Sequence, residues 1–211
     1  MIRYILFDLD NTLYPSSFGL EEQVSQRIQE FTAQFLGCTV EEARQRRQDR
    51  IHLYGTTLEW LMAEEGLSDI EAYYSVIHPE GEADTLEPSP EIRAFIQSLP
   101  IPSAILTNSP MEHAQRILRK LELEDLFTHI FDIRWNGLKG KPRQEAFRRP
   151  LEVLGLPAQE VLFVDDFPSY VEGFIHIGGQ GVLLDEQDRW TDFPHPRIRR
   201  LTELSRYLGV V

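Results

Sequence analysis

Tyr4-Ile5-Leu6-Phe7-Asp8-Leu9-Asp10-Asn11-Thr12 is the stretch that decides the fold of this 211-residue chain. An apolar run that stops on acids has the pattern of a strand buried on both faces of a parallel sheet. Similar runs recur at 103–106, 130–133, 161–164 and 181–184. Helical signals separate them. Ser89-Pro90-Glu91 and Ser109-Pro110-Met111 each place a capping serine before a proline at the first helical position. Ile92, Phe95, Ile96 and Leu99 share one face of the first helix, and Ala114, Ile117, Leu118 and Leu121 one face of the second. Strands alternating with helices predict an α/β fold, a three-layer core with a parallel sheet.

Residues 18–81 break the alternation and read as helix throughout. Leu20, Val24, Ile28, Phe31 and Phe35 fall on one amphipathic face. Thr39 with Glu42, and Ser68 with Glu71, have the spacing of capping boxes. The expected organisation is therefore a helical unit at 16–82, inserted after the first strand of a core formed by 1–15 and 83–211. The two crossings, near 15–18 and 81–88, are the expected hinges.

Composition narrows the function. Twenty-one basic against 34 acidic residues leave a net charge of −13. Such a surface repels phosphate backbones, which argues against a nucleic-acid polymer as partner, while a cleft can still attract a small anion. No apolar run approaches the eighteen or so residues of a membrane span, and Asp8 cuts the first run too short for a signal sequence. The lone Cys38 excludes an internal disulfide. A cytoplasmic location, with no membrane partner, is the resulting expectation.

The acids at the strand ends carry the chemistry. Ligands of open α/β sheets sit in the crevice beyond the carboxyl ends of the strands. Asp8 and Asp10 converge there, and like charges at such a place favour a bound cation, with hard oxygen ligands suiting magnesium. A solvated turn is the plainer alternative. Asp165-Asp166 offers a second acidic pair. Thr107-Asn108 stands before a helix start, where hydroxyl and N–H groups can hold an anion. Lys141 adjoins Pro142, which reads as the opening of a helix carrying Ala146, Phe147, Leu151 and Leu154. That puts Lys141 at a positive helix end and favours it over Lys139 for a phosphoryl oxygen.

In order and spacing these residues resemble the haloacid dehalogenase-like hydrolase superfamily over nearly the whole chain. Asp8-Leu9-Asp10-Asn11-Thr12 looks like its first motif, Thr107 its second, Lys141 its third and Asp165-Asp166 its fourth. The resemblance implies a Rossmann-like core with the insertion as a cap. It implies that Asp8 attacks phosphorus, that Asp10 is the general acid and base, and that Thr107, Asn108 and Lys141 hold the phosphoryl group. Magnesium would be bound by Asp8, the Asp10 backbone carbonyl and Asp166, with Asp165 near it. The superfamily's dehalogenases lack the second acid, so Asp10 points to phosphate esters. Phe167 and Tyr170 depart from the common pattern beside the metal.

Asp10-Asn11-Thr12-Leu13-Tyr14-Pro15, Tyr54-Gly55, Thr107-Asn108 with His113-Ala114, and Lys141-Pro142 with Phe147 further resemble the pyrimidine 5′-nucleotidase branch. The implied substrate is a small phosphorylated metabolite, a nucleoside 5′-monophosphate first, with pyrimidines ahead of purines because a small cap limits the width for a base. Phosphoglycolate or a phosphosugar is the alternative, a phosphomutase a third, and a catalytically silent binding module the non-enzyme reading. A monomer or homodimer is expected. Among cap aromatics, Tyr54 and Trp60 are the candidates to meet a base, alongside Tyr73 and Tyr74, although aromatics at helical spacing usually pack helices. Trp135 is expected near the cleft. His113 reads as an ordinary helix histidine. The run Arg44, Arg46, Arg47, Arg50 reads first as a solvated face and second as a surface steering anions inward.

Overall fold

The computed structural model describes residues 1–208. β1 (Tyr4–Phe7) lies inside a six-stranded sheet of order β3-β2-β1-β4-β5-β6, in which every neighbouring pair is parallel. The partners of β1 are β2 (Ser103–Leu106) and β4 (Val161–Asp165), with Phe7 opposite Ile105 on one side and Val164 on the other. β3 (Ile130–Phe131), β5 (Gln180–Leu184) and β6 (Arg197–Ile198) complete it. The two-residue β6 has no apolar run to announce it, and sequence reading finds five strands.

Alternation along β1 divides the core in two, because successive side chains leave a strand on opposite faces. Ile5 and Phe7 join Ile117 and Leu118 of α6 (Met111–Lys120), together with Leu201 and Leu204 near the C-terminal end. Tyr4 and Leu6 join Phe147 and Leu151 of α7 (Gln144–Leu154) and Phe174 of α8 (Pro168–His176). Helices therefore cover both faces, which is the three-layer arrangement expected. Strands buried on both sides must be apolar along their length, as β1 is.

Between β1 and β2 come α1 (Leu20–Leu36), α2 (Val40–Ile51), α3 (Thr57–Glu64), α4 (Ile70–Ile77) and α5 (Pro90–Gln97). The Thr39–Glu42 capping box opens α2, and Ser89 caps α5 through the Ile92 N–H. The cap of α4 is Asp69, whose carboxylate accepts from the Ala72 N–H; Ser68 stands one residue outside. Leu58, Trp60, Leu61, Tyr73, Tyr74 and Ile77 form an apolar cluster of this region's own, joined by Ile133 from beyond β3. No described helix is long and apolar enough to cross a membrane.

Two further helix starts differ from expectation, and both of these differences shape the site. Pro110, not Ser109, is the N-cap of α6, and the Asp132 carboxylate receives the Met111 N–H at 3.0 Å. A cap supplied from the neighbouring loop frees the Ser109 hydroxyl. The helix expected from Pro142 starts at Gln144 instead. Asn108 accepts the Lys141 N–H at 2.7 Å and donates to the Lys141 carbonyl at 3.1 Å, which holds Lys141 in the loop before the helix.

Candidate active site

The carboxyl ends of β1, β2 and β4 open into a cleft of about 870 Å³ whose opposite wall is built from α1, α2, α3 and α4. Asp8 extends the sheet by one residue, its N–H donating to the Val164 carbonyl at 2.8 Å. The chain then turns back, with the Leu13 N–H donating to the Leu9 carbonyl at 3.0 Å and Asn11 at φ 56. Asparagine tolerates that left-handed conformation better than most side chains. Thr12 donates to Asp8 Oδ2 at 3.2 Å. Asp8 and Asp10 thus both reach the cleft from one tight turn.

Lys141 is almost wholly buried, at 1 % exposure. Its Nζ donates to Asp8 Oδ1 and to Asp165 Oδ2, each at 2.6 Å, and lies 5.0 Å from the centre of the Tyr170 ring. Burial disfavours the ammonium, but the charges of Asp165 and Asp8 outweigh it and raise the Lys141 pKa. Lys139 does not compete for the cleft: it pairs with Glu59 at 2.6 Å, as Arg143 does at 2.9 Å. Nearby, a β-carbon on Gly55 would lie 2.7 Å from the Gly140 carbonyl oxygen, so only glycine lets these two loops approach so closely.

The acids fit a divalent cation. Carboxylate oxygens of Asp8, Asp165 and Asp166 lie within 4.8 Å of one another. Three carboxylates against one ammonium leave two negative charges, the number a magnesium ion neutralises, and all donors are hard oxygens. Burial raises the Asp8 carboxyl to about 8, with Asp165 and Asp10 adding to the shift and Lys141 opposing it. Burial with the charges of Asp165 and Asp8 raises Asp166 to about 9. Both oxygens of Asp165 are engaged, one by Lys141 and one by the Phe167 N–H at 2.8 Å. Asp166 has only a long contact from Asn11 at 3.4 Å and is the more open of the pair.

Asp10 is held differently. Its Oδ1 accepts from Tyr14 at 2.7 Å and faces His113 Nε2 at 2.7 Å, while its Oδ2 accepts from Ser109 at 3.0 Å. Burial opposes the carboxylate, but the charge and hydrogen bond of His113 outweigh it and hold the Asp10 carboxyl well below its usual range. His113 itself is fully buried; desolvation would discharge it, yet Asp10 and Glu82 raise it to about 9.

Thr107 and Asn108 both line the cleft. Thr107 Oγ1 accepts the Ser109 N–H at 3.0 Å, and the Asn108 amide is occupied on both sides by the Lys141 backbone. All seven residues singled out from sequence are gathered at these strand ends. Missed were Tyr14, Ser109, Glu82 and Glu21. Glu21 opens α1, receives the Asn11 amide and has its carboxyl raised by burial. No motif marks Glu82 or Glu21, while Tyr14 and Ser109 stand in quoted strings that gave them no role at the site.

Several aromatic expectations need correction. Trp60 is buried in the apolar cluster of the helices and does not reach the cleft. Trp135 is half exposed outside it, packed on Phe131. Tyr54, Tyr73 and Tyr74 do line it. Of the arginine run only Arg47 reaches the cleft, while Arg44 and Arg50 pair with Glu41 and Glu64 on the outside.

Comparison with known proteins agrees with this geometry. A family model described as haloacid dehalogenase-like hydrolase matches residues 2–178. The chain is 27 % identical over 177 residues to glyceraldehyde 3-phosphate phosphatase of Pyrococcus abyssi, covering 79 % of this chain and 74 % of that protein. It is 26 % identical over 190 residues to phosphate metabolism protein 8 of Saccharomyces cerevisiae, covering 83 % of this chain but only 59 % of the yeast protein. Among solved structures, a haloacid dehalogenase-type phosphatase from Thermococcus onnurineus superimposes with a TM-score of 0.69 at 22 % identity, over 99 % of this chain and 98 % of the other. With its strand-end acids and lysine in one cleft, and a family match over most of its length, the chain belongs to the haloacid dehalogenase-like hydrolases.

Proposed function

We propose that the protein is a magnesium-dependent phosphomonoesterase that works through an aspartyl-phosphate on Asp8. One observation carries the reading: the Asp8 carboxylate is buried at the base of the cleft, clamped by Lys141 and flanked by Asp166. An anionic nucleophile attacking an anionic phosphoryl group needs positive charge beside it, which Lys141 supplies and which a cation held with Asp166 would add to. The phosphatase names of relatives support the same reaction class.

In this reading Asp8 Oδ2 or Oδ1 forms a bond to phosphorus as the ester oxygen leaves, and water later cleaves the acyl phosphate to regenerate the carboxylate. Asp10, ionised in the free site, takes up a proton before attack, delivers it to the leaving oxygen and recovers one from the water. Lys141 neutralises phosphoryl charge, and Thr107 offers its hydroxyl. The occupied amide of Asn108 makes it the residue that fixes Lys141, its own backbone N–H being what remains for phosphate. Magnesium would be held by Asp8, Asp166 and the Asp10 carbonyl, and would supply charge neutralisation at the phosphoryl oxygens. Asp165, with both oxygens engaged, serves mainly to orient Lys141.

Residues 16–82 act as a cap over a core of 1–15 and 83–211, excluding water and meeting the leaving group. A cleft of about 870 Å³ accommodates a nucleoside, which supports a nucleoside 5′-monophosphate as substrate. That volume removes the width argument against purines, so any preference for pyrimidines must come from side chains such as Tyr54, Tyr73 and Tyr74. Phosphoglycolate and phosphosugars are the competing substrates. The test is phosphate release from a panel of phosphorylated metabolites, with and without chelator. Chelator-sensitive release, greatest from uridine or cytidine monophosphate, is expected. Preference for phosphoglycolate would retire the nucleotidase reading, and no release from any ester would retire the phosphatase one.

A further inference from the structure

We infer that His113 and Glu82 form a positioning pair for Asp10, tying its carboxylate to the segment that joins the helical insertion to the core. This rests on the phosphomonoesterase reading above. Both nitrogens of the His113 ring face carboxylates, Nε2 at 2.7 Å from Asp10 Oδ1 and Nδ1 at 2.8 Å from Glu82 Oε1. The ring is wholly buried, and Glu82 is nearly so. A histidine held at both ends has no rotational freedom left, so its Nε2–H fixes where Asp10 Oδ1 lies.

The consequence at Asp10 is a division of labour between its two oxygens. Oδ1 also accepts from Tyr14 at 2.7 Å and is fully occupied. Oδ2 has only the Ser109 hydroxyl, at 3.0 Å, a single rotor that can turn away. Asp10 and Ser109 both line the cleft. Oδ2 is therefore the oxygen left to exchange a proton with a leaving group, and His113 is what keeps it facing that way.

Glu82 links this arrangement to the helices. Its other oxygen faces His78 Nδ1 at 2.9 Å, and Arg116 donates both to Glu82 Oε1 and to the His78 carbonyl, each at 2.8 Å. His78 ends α4, and Glu82 follows in the turn that leads back toward the core. His78, Glu82 and His113 also have the spacing of a metal site. Two observations argue for a hydrogen-bond network instead. Both His113 nitrogens are already committed to carboxylates, and Arg116 at 2.8 Å and Arg27 at 3.9 Å supply further positive charge beside Glu82.

The test compares kcat/KM for para-nitrophenyl phosphate with kcat/KM for an alkyl ester, uridine 5′-monophosphate or phosphoglycolate, whichever the parent hydrolyses faster. An aryl leaving group needs little protonation, so misplacing the acid harms the alkyl ester more. Asp10→Asn sets the reference for that difference. His113→Leu, with thermal unfolding measured alongside, should lose roughly tenfold or more in alkyl over aryl activity. His113→Gln, which keeps a donor toward Asp10, should recover part of it. Should His113→Leu fail to fold, Glu82→Gln provides the same comparison and should show the same sign. Equal losses on both esters, or none, would mean that His113 only packs, and would overturn the inference while leaving the phosphatase reading intact. A parent that hydrolyses no phosphate ester would remove both together.

Discussion

Lys141 Nζ and Asp8 Oδ1 lie 2.6 Å apart in the interior, and the same ammonium reaches Asp165 Oδ2 at an equal distance. One cation thus joins the ends of β1 and β4 through a loop that Asn108 anchors beside β2. The pairing fixes the position of the Asp8 carboxyl, and it leaves Asp166 without an ion-pair partner among the described residues.

Removing the cation tests that pairing. Lys141→Met keeps much of the volume but leaves Asp8 and Asp165 facing each other unpaired. The expected cost is about 3–5 kcal/mol in denaturant unfolding at alkaline pH, where Asp8 is ionised. The loss should shrink as pH falls through about 8, because Asp8 then takes up a proton. Activity should fall by at least about a hundredfold. Unchanged stability would mean that the ammonium is not buried between the acids.

The raised acids predict how the metal-free protein responds to pH. Asp8 and Asp166 titrate near 4 when unfolded and at about 8 and about 9 when folded, so the folded state holds more protons between those limits. Their contribution to stability is complete below the unfolded value and is lost as pH rises through the folded one. His113, raised to about 9, acts in the same direction. In chelator the thermal midpoint should therefore fall from pH 7 to pH 9. Magnesium competes with these protons, so the stabilisation it gives should be larger at pH 9 than at pH 7. A magnesium effect independent of pH would argue against these carboxylates as ligands.

Substrate choice separates Tyr54 from Trp60. Trp60→Ala should destabilise the protein by roughly 3–5 kcal/mol, since it empties the core of the helical cluster. It should leave the ranking of substrates unchanged. Tyr54→Ala touches the cleft wall and should change relative kcat/KM among nucleotides and phosphoglycolate, with para-nitrophenyl phosphate nearly unaffected. The opposite assignment of effects would place the leaving group elsewhere.

The sheet and the gathering of candidate residues at its strand ends were legible because their signals are local. A buried parallel strand must be apolar throughout, and Asp8, Thr107 and Asp165 each stand at the end of such a run, while Lys141 precedes an amphipathic helix. What escaped depends on residues far apart in the chain. Ser109 reads as a helix cap until Asp132, 23 residues later, takes that role and frees its hydroxyl for Asp10. Lys141 reads as a helix start until Asn108 holds its backbone in the loop. His113 and Glu82 are 31 residues apart, and no periodicity relates them. Helical spacing put Trp60 on a face without saying which, and the face is the one turned inward.

The most direct test of the account is the rate of phosphate release from para-nitrophenyl phosphate by Asp8→Asn in saturating magnesium. The substitution preserves shape and one of the two acceptor oxygens that Lys141 and Thr12 use, but removes the attacking anion. The account predicts that kcat/KM falls by about four orders of magnitude or more while the protein remains folded. Hydrolysis by the folded variant at a rate near that of the parent would contradict it.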